Sequence, residues 1–188
     1  GSIEVKTVSG DVAGNGTAGA LSIDTGSGDV TLAGHNGALS VDTGSGDIIL
    51  SGIKTDELSL DTGSGDVRVD GLTASKLSVD TGSGDVTVSG ASVGTVGVDT
   101  GSGDIRIGFS VDIDQLSVDT GSGDVEVSAP GSLGATVEIE TSSGDIHTDF
   151  PVQVTRKSRD GLSGTIGDGQ GRLSIDTASG DVTLKRQP

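Results

Sequence analysis

One twelve-residue phrase, Leu-Ser-Val-Asp-Thr-Gly-Ser-Gly-Asp-Val-x-Val, returns along almost the whole chain. No other feature limits the fold as tightly. Aligned on the Gly-Asp step, the copies put Asp11, Asp29, Asp47, Asp66, Asp85, Asp104, Asp124, Asp145 and Asp181 in register. Successive spacings are 18, 18, 19, 19, 19, 20, 21 and 36 residues. The last gap divides at Ser163-Gly164-Thr165-Ile166, where Thr165 stands in for the Asp, which makes ten copies. A fixed internal period of this size is the mark of a solenoid or array.

Each copy reads as two strands. Leu21, Ile23, Val30 and Leu32 alternate with Ser22, Asp24 and Thr31, the period-2 signature of half-buried β-structure. Gly26-Ser27-Gly28 between them supplies a tight corner. A second corner, such as Ala33-Gly34-His35-Asn36-Gly37, varies in length and absorbs the drift in spacing. Antiparallel hairpins give no reason for near-identical corners, whereas in a parallel stack each residue sits on its counterpart one coil away. The expected fold is therefore all-β: a single-domain right-handed parallel β-solenoid (β-helix) over residues 1–188, with about ten coils of 18–21 residues. At ~4.8 Å per coil the rod would be about 48 Å long. An irregular coil is expected at 147–172, which holds Phe150-Pro151, the basic run Arg156-Lys157-Ser158-Arg159, and Gly167-Asp168-Gly169-Gln170-Gly171.

Composition narrows the classes of function. The chain is 31% hydrophobic with 34 glycines and a net charge of −17, values that taken alone would suit disorder. The strict alternation of Val, Ile and Leu says otherwise, and implies a thin core. Without Cys there is no disulfide framework or thiol chemistry. The acidic balance opposes nucleic acid and anionic membranes. No apolar run approaches the ~20 residues of a membrane span, so no direct membrane insertion is expected.

The two ends carry no evident cap, although terminal repeats normally need one. Three readings fit, the first expected before the others: more of the native chain lies beyond these residues, the ends stack into filaments, or charged residues such as Lys185 and Arg186 act as gatekeepers at the last strand. Open ends, and the basic C-terminal region on an otherwise acidic rod, also allow end-to-end self-association.

The Ser-Gly-Asp-Val repeat, the aliphatic-x-aliphatic-x-Thr strand before it and the closing Leu173-Ser174-Ile175-Asp176-Thr177-Ala178-Ser179-Gly180-Asp181-Val182 resemble a bacterial family. It is a β-strand-repeat domain family of unknown function described as adhesins, and the resemblance covers essentially the whole chain. It implies a β-solenoid and an exported, cell-envelope or extracellular location, with a surface protein or glycan as partner. About activity it implies little.

Several motifs invite chemistry. Asp-Thr-Gly-Ser at Asp24, Asp42, Asp61, Asp80, Asp99 and Asp119 matches an aspartic-protease loop. That chemistry needs two facing loops sharing one proton, and these copies all run one way along a rod. Two Asp columns flank the Gly corner, one of Asp24, Asp42, Asp61, Asp80, Asp99, Asp119 and Asp176, the other of Asp29, Asp47, Asp66, Asp85, Asp104 and Asp124 with their counterparts. Carboxylates and turn carbonyls could converge there on Ca²⁺. The competing reading is that each Asp caps backbone N–H groups of its corner. Like charges ~5 Å apart in water repel by only about 0.8 kcal/mol, so stacking needs no metal. The Thr25, Thr43 and Thr62 column suggests ice binding, but outward Arg68, Arg106 and Glu126 spoil a uniform face, leaving a small half-buried ladder. His35 and His147 read as isolated and solvated. The expectation is a non-enzymatic exported structural or adhesin-like module without a cofactor. The first alternative is a Ca²⁺-binding β-roll-like module, and a polysaccharide-acting β-helix enzyme comes third.

Overall fold

The computed structural model of the protein describes residues 1–187 and contains strands and turns but no helix among them. Seven coils follow one another in chain order. The first is β1 (Ser2–Thr7) and β2 (Val12–Asn15), the second β3 (Ala20–Thr25) and β4 (Val30–Ala33), the third β5 (Leu39–Thr43) and β6 (Ile48–Lys54). The fourth begins with β7 (Glu57–Thr62). From there β8 (Val67–Thr81) and β9 (Val86–Thr100) each run unbroken through the variable corner, ending one coil and starting the next. β10 (Ile105–Phe109) closes the sixth coil, and β11 (Gln115–Thr120) with β12 (Val125–Ala129) forms the seventh.

Pairing between these coils is parallel and in register, Leu21 on Leu39, Leu39 on Leu58, Leu58 on Leu77. The alternation drives this: inward Val, Ile and Leu are almost wholly buried, while the Ser and Asp between them face outward. Burying one such side chain contributes about 1.5–3 kcal/mol, and each coil supplies at least four from the second coil onward. A short third side at the variable corner adds Ile53, Leu72, Ala91 and Phe109 to the core. The solenoid expectation is met.

The order of the last coils differs from the expected one. β13 (Ala135–Ser143) and β14 (Ile146–Thr148) do not stack on the seventh coil. The C-terminal strands β17 (Gly171–Ser179) and β18 (Val182–Arg186) do, β17 on β11 and β18 on β12. β13 and β14 then stack on β17 and β18. The last coil in sequence is thus inserted beneath the one before it, and each face carries a ladder of nine parallel strands.

The expected tenth copy is not a coil. β16 (Gly161–Ile166) pairs antiparallel with β13, Ala135 opposite Ile166 and Ile139 opposite Leu162. β15 (Val152–Lys157) pairs antiparallel with β16. Thr165 therefore lies opposite Thr136 and not in the Asp column. The region expected as an irregular coil at 147–172 holds this hairpin, whose Phe150, Leu162 and Ile166 are buried over the core. Lys185 and Arg186, expected as gatekeepers at an end, lie within the stack, where Lys185 Nζ meets Glu126 Oε2 at 2.7 Å.

Candidate functional site

The Gly-Ser-Gly-Asp corner is the most repeated surface of the rod, and its Asp forms a continuous ladder. Asp11 Oδ1 accepts the backbone N–H of Asp29 at 3.1 Å, Asp29 that of Asp47 at 2.9 Å, and Asp47 that of Asp66 at 2.8 Å. The chain of bonds continues through Asp66, Asp85 and Asp104 to Asp124. Asp124 then accepts from Asp181, and Asp181 from Asp145, both at 2.8 Å. The capping reading holds in kind but not in partner. Each carboxylate from Asp11 to Asp181 along the ladder caps the Asp amide of the next coil in space, not an amide of its own turn. The sequence Asp124, Asp181, Asp145 traces the inserted coil a second time.

A charged acceptor on a backbone N–H is stronger than a neutral one, and it offsets the repulsion between stacked carboxylates. Asp85 accepts from Asp104 and has no basic partner among the described residues, so it tests the ladder cleanly. Asp85→Ala is expected to lower unfolding stability by about 1 kcal/mol, and Asp85→Asn, which keeps the acceptor, by well under half of that. Urea unfolding of the two variants separates them; equal losses would remove the ladder as a source of stability.

The second column faces outward: Asp24, Asp42, Asp61, Asp80, Asp99 and Asp119 follow one another in register, then Asp176, then Glu140. Lys6 stands at its foot, where Glu4 first and Asp24 second hold the ammonium above its usual range. Partial burial raises the Asp61 carboxyl, and Asp42 and Asp80 push it the same way. Asp99 is raised by burial and then by Asp119 and Asp80. The folded state therefore holds these protons more tightly than the unfolded chain does. Their contribution favours folding as pH falls into the window just above the ordinary carboxylate value and is lost as pH rises through it.

The two Asp columns expected to converge on a cation, Asp24, Asp42, Asp61, Asp80, Asp99 and Asp119 with Asp29, Asp47, Asp66, Asp85, Asp104 and Asp124, run along opposite sides of the corner. Among the described residues no three carboxylate or imidazole side chains gather as a metal cage requires. The ladder Asp each spend one oxygen on an amide, and the outward Asp stand in single file.

The Thr column is fully buried, not half-buried; Thr25, Thr43 and Thr62 are each 1% exposed. Thr43 and Thr62 donate to the carbonyls of Gly28 and Gly46 one coil away. Thr81, Thr100 and Thr120 find no partner among the described residues. His35, expected to be solvated, is 1% exposed. It fills the core column that carries Ile53 in the next coil, as the neighbouring bridge of Asn36 with Lys54 requires. Its Nε2 faces the carbonyls of Gly37 and Ala38 at 3.1 and 3.3 Å and must donate, so Nδ1 accepts the Thr17 hydroxyl at 2.8 Å. His147 is exposed as expected. Sequence reading also passed over a glycine column in the variable corner, Gly16, Gly34, Gly52, Gly71 and Gly90, all left-handed at φ between 62° and 71°. Its signal was present: these glycines recur at the same spacing as the Asp.

No curated protein and no solved structure matches the chain. The family model described as Toastrack DUF4097 matches residues 1–185. That span takes in every coil, the inserted one included, so the chain belongs to the Toastrack DUF4097 family, whose function is unknown.

Proposed function

We propose that the domain is a non-enzymatic structural module of an exported or cell-envelope bacterial protein, an adhesin-like rod that holds a repetitive surface at fixed spacing. The observation that carries this reading is the uniformity of the outward columns. Ser22, Ser40, Ser59 and Ser78 lie in register, as do Asp24, Asp42, Asp61 and Asp80. A catalytic centre needs one place whose chemistry differs from its surroundings, whereas here the same side chains repeat every ~4.8 Å. Rigidity comes from the backbone ladders, the aliphatic columns and the Asp ladder together. Contact with a surface protein or glycan would then be multivalent, many weak identical contacts adding along the rod.

Burial first, and then the charges of Asp42, Asp80 and Asp119, raise Asp61 and Asp99; a divalent cation would relieve the second of these, which favours the second reading, a Ca²⁺-dependent module. Thermal melts followed by circular dichroism in millimolar Ca²⁺ and in EDTA separate the two. A passive rod melts at the same temperature in both, within about 2 °C. A rise of ten degrees or more with Ca²⁺ would mean that the cation binds the folded state and would overturn the passive reading.

A further inference from the structure

The distal end of the rod is stepped. One face runs nine parallel strands and then continues with the antiparallel β16 and β15. The other stops at β14, which pairs only with β18 among the described residues. Two strands are missing opposite β15 and β16, and their absence leaves a groove of about 480 Å³. Ile146, Phe150, Val152, Val154 and Leu162 line it, and Val154 is 50% exposed.

Three features of the groove address an extended chain. The free edge of β14 offers unpaired backbone N–H and C=O groups, a template for strand addition. Asp145 closes the Asp ladder: its amide is bonded to Asp181, but its carboxylate receives no amide among the described residues. Lys157 and Arg159 stand on the rim and make no ion pair among the described residues. Of the other nine Lys and Arg side chains on this acidic rod, five are paired.

We propose that the step is a β-augmentation site for an extended segment of another molecule, one with alternating apolar residues preceded by a carboxylate. Such a strand lies on the edge of β14, gives an amide to Asp145, turns its apolar side chains onto Ile146, Val152 and Leu162, and sets its carboxylate toward Lys157 and Arg159. The chain's own repeat, Gly-Ser-Gly-Asp-Val-Thr-Val-Ser at 82–89, has this pattern. A whole second rod does not fit head to tail, because its first coil brings β1 and β2 at one level to an end that is offset by two strands. This inference is independent of whether the rod binds Ca²⁺ or of what its long faces contact.

The probe is that octapeptide, acetylated, amidated and labelled, titrated against the full chain by fluorescence anisotropy. Saturable binding is expected, weakened at least tenfold by Lys157→Glu with Arg159→Glu. Weakening of similar size is expected from N-methylation of the peptide's Asp, whose amide is the one given to Asp145, or from replacing that Asp by Lys. The substituted residues are exposed, and unchanged melting curves verify the fold. Hydrogen exchange with bound peptide should slow the amides of Ile146–Thr148. No binding at millimolar peptide, indifference to N-methylation, or protection at β1 and β2 in place of β14 would each overturn the proposal.

Discussion

Removing residues 171–188 is expected to unfold more than is removed. Hydrogen exchange should show residues 135–166 losing protection together, while the first six coils keep theirs. The reason is the insertion. β14 has β18 as its neighbour, and β13 rests on β17 and on its antiparallel partner β16. Take β17 and β18 away, and the distal unit faces a gap one coil deep. The deleted coil also removes Leu173, Ile175, Val182 and Leu184 from the core. At about 1.5–3 kcal/mol each, that is on the order of 6–12 kcal/mol, comparable to the whole stability of an ordinary domain. Repeat proteins confine such losses to nearest neighbours, so the loss falls on 135–166 and on the newly exposed β11 and β12. A rod stacked in chain order would behave differently: trimming its last coil would leave 135–166 protected, and that result would refute the inserted topology.

The insertion was not legible in the sequence, and the reason is the same regularity that made the solenoid legible. Near-identical copies specify that coils stack, but any copy can stack on any other, and their order depends on the connections. Two local signs existed. Ser142 and Ala178 replace the first corner glycine in the two distal copies, and there β13 and β17 run on through the corner and pair Ser143 with Ser179. The misreading of β16 has a different cause. Alternation of period two reads the same in both directions, so Leu162, Gly164 and Ile166 fit a parallel copy and an antiparallel hairpin equally well. Of the candidate site, the Asp columns and their registers were readable from spacing alone. The partner of each carboxylate was not, because the ladder bond spans 18 or more residues and depends on how far one coil is displaced over the next. His35 was misjudged for a similar reason: a lone imidazole in a variable corner looks solvated until the column above it proves to be Ile53 and Leu72.

Gly84→Ala, like the same change at the other second corner glycines, should be among the most damaging substitutions of its size in the rod, lowering stability by at least ~3 kcal/mol and the melting temperature by about 10 °C. Two effects combine at this position. Its φ of 146° lies where residues with a Cβ are strained, and an added Cβ would fall on the carbonyl oxygen of Gly65 in the coil beneath. The second effect is a property of stacking, since the corner glycines approach each other more closely than any side chain permits. Gly52→Ala isolates the first. Gly52 sits at φ 62° in the variable corner, and the atoms nearest to an added Cβ, Gly34 N and Cα, are 3.8 and 3.9 Å away. It should therefore lose only the left-handed penalty of about 1–2 kcal/mol. Differential scanning calorimetry on both variants gives the comparison directly. Equal losses would mean that backbone conformation alone explains the Gly corner. A clear excess at Gly84 would mean that the glycines of Gly-Ser-Gly-Asp are required by the coil below, whereas the Gly16, Gly34, Gly52, Gly71 and Gly90 column is held by backbone conformation.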